Sequence, residues 1–192
     1  MAVSGKGALV GILLLCSSLG YGILLGPVQI SVRDLLPAVW LGIVPFAFYA
    51  TKSVLSYAGG RLSDRIGRET VIMGGFLLAA AGLALGASWT STVGLLFCSF
   101  AMALQNALAP TSATAVLADA TSSERRHLAL GAMFAWRDLG VAVGLLGSMG
   151  LQALAPANPR GTAMVTFYSF AGVFAICAAL SGILARRVEE KI

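Results

Sequence analysis

The sequence predicts an all-α integral membrane protein that forms a single bundle of six transmembrane helices over residues 1–192. Of these residues, 58% are hydrophobic and only 11% are charged, whereas about one quarter of a soluble domain is charged. The apolar residues also occur in long runs that a soluble core of this size has no room to bury. These runs show continuous apolarity rather than alternation, which favours helices over barrel strands.

A helix needs about 20 mainly apolar residues to cross ~30 Å of hydrocarbon. The first qualifying run also resembles a signal peptide ending near Cys16, but it continues to about Val28 and further runs follow, which favours a first span. The third window is short and the fourth and fifth are long, differences that helix tilt absorbs. The six predicted spans are 7–28, 36–57, 70–87, 92–118, 128–154 and 163–185.

The positions of lysine and arginine predict the orientation. If both termini lie in the cytoplasm, only Arg33 and Arg160 fall outside, which agrees with the excess of positive charge on cytoplasmic loops. The localisation that follows is the cell membrane, with several passes through the lipid bilayer. The basic residues form short clusters and no continuous stripe, so no nucleic-acid partner is expected. The cytoplasmic set is Lys6, Arg61, Arg65, Arg68, Arg125, Arg126, Arg186, Arg187 and Lys191.

Residues 60–68, Gly-Arg-Leu-Ser-Asp-Arg-Ile-Gly-Arg, lie between the second and third spans. Glycine permits a tight reversal there, and Asp64 can accept hydrogen bonds from a helix N-terminus. The segment is very similar to the signature loop of the major facilitator superfamily. Asp119, followed by the Glu-Arg-Arg of residues 124–126, agrees with the family's second cytoplasmic loop.

The resemblance implies a six-helix half of a transporter, with gating residues at Gly60, Asp64, Arg65, Gly67 and Arg68. In the family this loop latches onto the opposite half, and substrate lies between two six-helix bundles. The sequence covers one bundle and contains no second copy of the loop. A fragment of a longer chain, a half-size protein and a degenerate relative therefore remain open, and the expected partner is a second copy, giving a homodimer, or another six-helix bundle.

Two departures from the family pattern favour the C-terminal half. The family's N-terminal half usually has an arginine in the fourth span, where this sequence has Met102, and a glycine where it has Asn106. The fifth span offers Gly140, Gly144 and Gly147 without the proline of the family's kink motif. The missing arginine also weakens any expectation of proton coupling.

Charged residues inside the spans are the first candidates for a substrate or ion pathway, because charge in hydrocarbon costs a few kcal/mol. Arg137 and Asp138 lie near the middle of the fifth span. Helix neighbours point about 100° apart, so we expect them to pair with different partners. Lys52 lies toward the inner end of the second span and can snorkel to the interface or reach Asp138. A structural interhelical network is the alternative to a pathway.

Polar residues of the fourth and first spans complete the candidate set. Gln105 and Asn106 interrupt the apolar fourth span, and Tyr21 lies in the first. The resemblance implies that these two helices line the transport path. The alternative is that such residues only allow close helix packing.

The predicted function is secondary transport of a small-molecule substrate, performed together with a second bundle. The alternative is a truncated or non-transporting relative with an assembly or interaction role. No enzyme is expected, because the single histidine, His127, has no visible nucleophilic partner. Neither a cofactor nor a metal site is indicated, since Cys16, Cys98 and Cys177 all lie in apolar runs without ligand spacing.

Overall fold

The computed structural model describes residues 5–88, 92–119, 121–122, 126–154 and 159–189. Within these ranges the chain is almost entirely helical and has no strand, which confirms the predicted fold class. Each of the six predicted spans overlaps a helix, although the bounds differ. The helices are α1 (Gly5–Ile23), a π-helical turn (Leu24–Val28), α2 (Gln29–Leu35), α3 (Trp40–Ile66), α4 (Arg68–Ser88), α5 (Thr92–Asp119), α6 (Arg126–Leu154) and α7 (Pro159–Glu189).

The first span is a helix with an interruption. The π-helical turn joins α1 to α2 and contains Pro27, which has no backbone N–H to donate and so disturbs the regular hydrogen-bond ladder. The same turn brings Leu25 to the site described below.

Length and composition qualify four of the described helical segments as membrane spans: Arg68–Ser88, Val93–Asp119, Arg126–Leu154 and Ala163–Ile183. Val10–Gly26 is a shorter apolar helix. The remaining long helix, α3, is the most polar because it contains Lys52, Arg61, Asp64 and Arg65.

The helices form a bundle in which α4 packs on α5 and α7, α1 packs on α6, and α3 packs on α5. The interior is filled by large side chains that are fully buried, among them Phe48, Phe76, Phe167, Phe174 and Met102. The rings of Phe76 and Phe174 join α4 to α7, with centroids 5.9 Å apart. The helices α3 and α6 are not among the extensively packed pairs, which leaves a gap between them.

Glycines bring α1 and α6 into backbone contact. A Cβ atom at Gly144 would lie 2.6 Å from the carbonyl oxygen of Leu19, and one at Gly140 would overlap the carbonyl of Leu15. On the α1 side, Gly22 faces the backbone of Leu145. Small residues at such positions permit the close approach that stabilises helix pairs in lipid, where hydrophobic burial supplies little driving force.

The helix that corresponds to the second predicted span, α3, ends at Ile66 rather than near Tyr57. Residues 60–68 therefore do not form a loop. Gly60 belongs to the last turns of α3, Gly67 is the single link to α4, and Arg68 opens α4. Among the described residues only Gly67 has a positive φ, at 92°. The polar residues after Tyr57 end the apolar run, but they do not end the helix, because hydropathy marks where the lipid stops and not where backbone hydrogen bonding stops.

Candidate functional site

The predicted gating residues lie at the end of the bundle where α3 turns into α4, here called the Gly67 end. Arg68 pairs with Asp119, the last residue of α5, and its guanidinium also lies 3.8 Å from the Asp64 carboxylate. One arginine thereby ties together α3, α4 and α5.

Asp64 and Arg65 are exposed at the Gly67 end. Arg65 and Arg61 help to line an open depression of about 320 Å³ beside Tyr57. The guanidinium of Arg61 lies 4.7 Å from the centre of the Tyr57 ring, which is a cation–π distance. The exposed Arg61 and Arg65 are therefore available to a neighbouring molecule, whereas Arg68 is paired within the bundle with Asp119 and Asp64.

A second cavity, the central groove, lies between the first span, α3 and α6. It has a volume of about 310 Å³. The first span contributes Tyr21 and Leu25, and α3 contributes Tyr49. The other lining residues belong to α6 and are Arg137, Asp138 and Val141.

Aromatic rings cover one side of the central groove. The ring of Tyr21 meets that of Phe48 edge-to-face at 5.4 Å, and Phe48 meets Tyr49 in the same way at 5.3 Å. The Lys52 ammonium lies 4.4 Å from the centre of the Tyr21 ring. Lys52 is near the middle of α3, about 21 Å from Ile66 at 1.5 Å per residue, and it points toward Tyr21 instead of snorkelling to the helix end.

On the opposite side of the groove, Arg137 and Asp138 pair with each other. The Arg137 Nη2 and Nε atoms both donate to Asp138 Oδ1, at 3.0 and 3.1 Å. The expectation that they have different partners was wrong, because the flexible arginine folds back over Phe134, 4.9 Å from the ring centre, and so reaches its neighbour. Lys52 and Asp138 do not form an ion pair in the described part of the chain.

The charge around the groove is unbalanced. Among the residues that the structure describes, two cations, Lys52 and Arg137, stand against one carboxylate, Asp138. Lys52 reaches the edge of the groove through its contact with the Tyr21 ring. Within the described ranges, no three His, Cys, Asp or Glu side chains come together in a way that holds a metal ion.

The family model described as Major Facilitator Superfamily matches residues 10–191. The chain belongs to the major facilitator superfamily. This membership confirms the resemblance carried by residues 60–68 and makes the chain a multi-pass membrane protein of transporter type. A comparison with curated proteins found no match.

Two of the predicted pathway residues of this major facilitator chain lie elsewhere. Gln105 and Asn106 are fully buried where α5 packs on α1, opposite Gly20, and they do not line the central groove. The Asn106 amide donates to Met102 O at 3.1 Å and to Gln105 Oε1 at 3.0 Å. Gln105 Nε2 and Asn106 Oδ1 have no hydrogen-bond partner among the described residues. The structure thus brings Tyr21, Arg137 and Asp138 to the groove, with Lys52 beside it.

The sequence analysis missed three groove residues, Leu25, Tyr49 and Val141. Leu25 and Val141 follow Tyr21 and Arg137 by four positions, which places each pair on one helix face. Tyr49 precedes Lys52 by three positions and shares its face in the same way. Extending each candidate by one helical turn would have found all three.

Proposed function

We propose that the chain forms one six-helix half of a secondary transporter, which moves a small solute across the cytoplasmic membrane together with a second bundle. The central groove is the observation that carries the proposal. In the proposed orientation both termini and the Gly67 end are cytoplasmic, as supported by the distribution of lysine and arginine.

The position of the charges supports a transport path over a structural network. A charged side chain near the middle of a membrane helix costs a few kcal/mol, so an ion pair that served only the fold would be expected inside an interface. The side chains of Arg137 and Asp138 are instead 44% and 68% exposed, and both residues line the groove. Substrate sites of secondary transporters lie at this depth, between two bundles.

The exposed surfaces of α3 and α6 support the proposal that a second bundle is present. Both helices border the groove, and although α3 packs on α5 and α6 on α1, most of their side chains are not buried within the described part of the chain. The exposed Asp64 and Arg65 extend this surface to the Gly67 end, where they serve as gate elements against the opposing bundle. The buried residues of these two long helices are only Val44, Phe48, Gly59 and Ser63 in α3, and Met133, Gly140, Gly144 and Ser148 in α6.

The transport proposal is tested by solute uptake into proteoliposomes, with a panel of labelled organic anions, cations, sugars and amino acids. We expect Asp138→Asn, and separately Asp64→Asn, to lower uptake at least tenfold at equal protein content. Asp34→Asn is the matched control, because Asp34 is an exposed aspartate that also pairs with its neighbouring arginine, at 3.0 Å, but lies outside the groove. Equal uptake by Asp138→Asn and Asp34→Asn would contradict the pathway role.

The second bundle is tested by crosslinking in native membranes, through single cysteines introduced at exposed positions such as Val54 of α3 and Leu146 of α6. We expect crosslinked pairs, whose mass tells whether the partner is another copy of the chain. A preparation that transports solute yet gives only monomers would refute the partnership. Absence of uptake for every solute class would favour a non-transporting member of the family.

A further inference from the structure

We infer that the central groove binds a small organic anion with a flat apolar body, of the aromatic carboxylate class. This inference rests on the proposed function, since it names the substrate class of the same site. It follows from the balance of charge, the hydrogen bonding of the one carboxylate, and the rings beside the groove.

The charge balance excludes a cation as the preferred solute. Lys52 and Arg137 give the groove and its edge one more positive than negative charge, and Coulomb interactions are stronger here than in water because the surroundings have a low dielectric constant. Lys52 has no carboxylate within ion-pair distance among the described residues, and its contact is the face of Tyr21. An anion entering the groove supplies the missing countercharge.

The carboxylate of Asp138 is engaged. It accepts two hydrogen bonds from Arg137, both on Oδ1. A cationic solute that approached Asp138 would lie beside this guanidinium and would meet the repulsion of both Arg137 and Lys52. An anionic solute can instead lie between the two cations while the Arg137–Asp138 pair stays in place.

The aromatic rings beside the groove indicate that the solute has a flat apolar body. Tyr21 and Tyr49 both line the groove, 6.2 Å apart and tilted by 36°, and Leu25 and Val141 add aliphatic surface. A flat ring gains contact from stacking beside such side chains. The volume of about 310 Å³ is at the lower end of the ~300–1,000 Å³ typical of small-molecule sites, which favours a compact solute.

The experiment uses the full chain in lipid nanodiscs and four small probes that separate charge from ring. These are benzoate (ring and anion), benzylamine (ring and cation), benzyl alcohol (ring without charge) and acetate (anion without ring). Binding is measured by calorimetry and by the rise in melting temperature, since a ligand that prefers the folded state stabilises it. We expect benzoate to bind at least about tenfold more tightly than each of the other three.

Variants assign the binding to the groove. We expect Lys52→Met to weaken benzoate binding about tenfold to a hundredfold, the range of a charge-assisted hydrogen bond. Lys52→Arg should restore most of the affinity, because the guanidinium keeps the charge. Tyr49→Leu should weaken benzoate binding but leave acetate binding unchanged. Arg33→Gln is the matched control, since it removes an exposed cation from α2, outside the groove, and we expect it to change no affinity.

Three results would overturn the inference: benzylamine binding as tightly as benzoate, no benzoate binding at millimolar concentration, or an unchanged benzoate affinity in Lys52→Met. In each case, uptake of a cation or a neutral solute by the same preparation would show that the transport proposal survives. Benzoate binding without uptake of any solute would contradict the transport proposal and leave the binding class standing.

Discussion

Replacement of Gly144 by alanine tests the backbone contact on which the groove depends. The added Cβ atom would lie 2.6 Å from the carbonyl oxygen of Leu19 and 2.9 Å from its Cα atom. Ordinary van der Waals contact is about 3.5 Å or more, so α1 must move about 1 Å away from α6. Both contacting atoms belong to the backbone, and therefore no side-chain rotation can relieve the overlap.

The expected cost follows from two opposing effects. Overpacking a close interface costs about 1–3 kcal/mol, and the upper end applies here because the obstacle is rigid. Alanine recovers about 1 kcal/mol through its better helix propensity. We therefore expect Gly144→Ala to lower the free energy of unfolding by about 2 kcal/mol.

Gly150→Ala is the matched control on the same helix. A Cβ atom at Gly150 meets nothing within 4 Å, so this variant should gain up to about 1 kcal/mol from helix propensity alone. Unfolding is followed in lipid–detergent micelles by circular dichroism as denaturing detergent is added. If Gly144→Ala is as stable as Gly150→Ala, the α1–α6 backbone contact is refuted. Uptake should also fall in Gly144→Ala, because Tyr21 on α1 would move away from Arg137 on α6.

Three further predictions concern the Gly67 end and the α1–α5 interface. Gly67→Ala should lose about 1–3 kcal/mol of stability, because a φ of 92° is unfavourable for residues with a Cβ, whereas helical Gly60→Ala should lose none; thermal unfolding of both variants checks this. Arg68→Gln should cost at most about 1 kcal/mol, since its partner Asp119 is exposed, and the loss should shrink in high salt. Gln105→Met should change the melting temperature little, because it removes a buried amide nitrogen that has no partner among the described residues but also removes the oxygen that accepts one hydrogen bond from Asn106.

The sequence predicted the fold because its two strongest signals, apolar run length and the spacing within residues 60–68, report on the bilayer and on the family. It did not predict the end of α3, since Arg61, Asp64 and Arg65 leave the lipid while remaining helical. The two charged residues in the middle of α6, Arg137 and Asp138, do line the groove, and their role in a transport path stays a prediction. The partner of Arg137 depends on the conformation of its side chain and on the ring of Phe134. Helical geometry alone gives only the direction of the Cα–Cβ bond.

The fourth span shows where such reasoning reaches its limit. Helical spacing places Gln105 on a polar face of α5, but what lies opposite decides whether that face is wet or buried. In the structure Gly20 of α1 leaves room for Asn106 and closes the space around both amides. Two orphaned polar atoms there cost about 1–3 kcal/mol each, a penalty that apolar residues of similar volume would avoid.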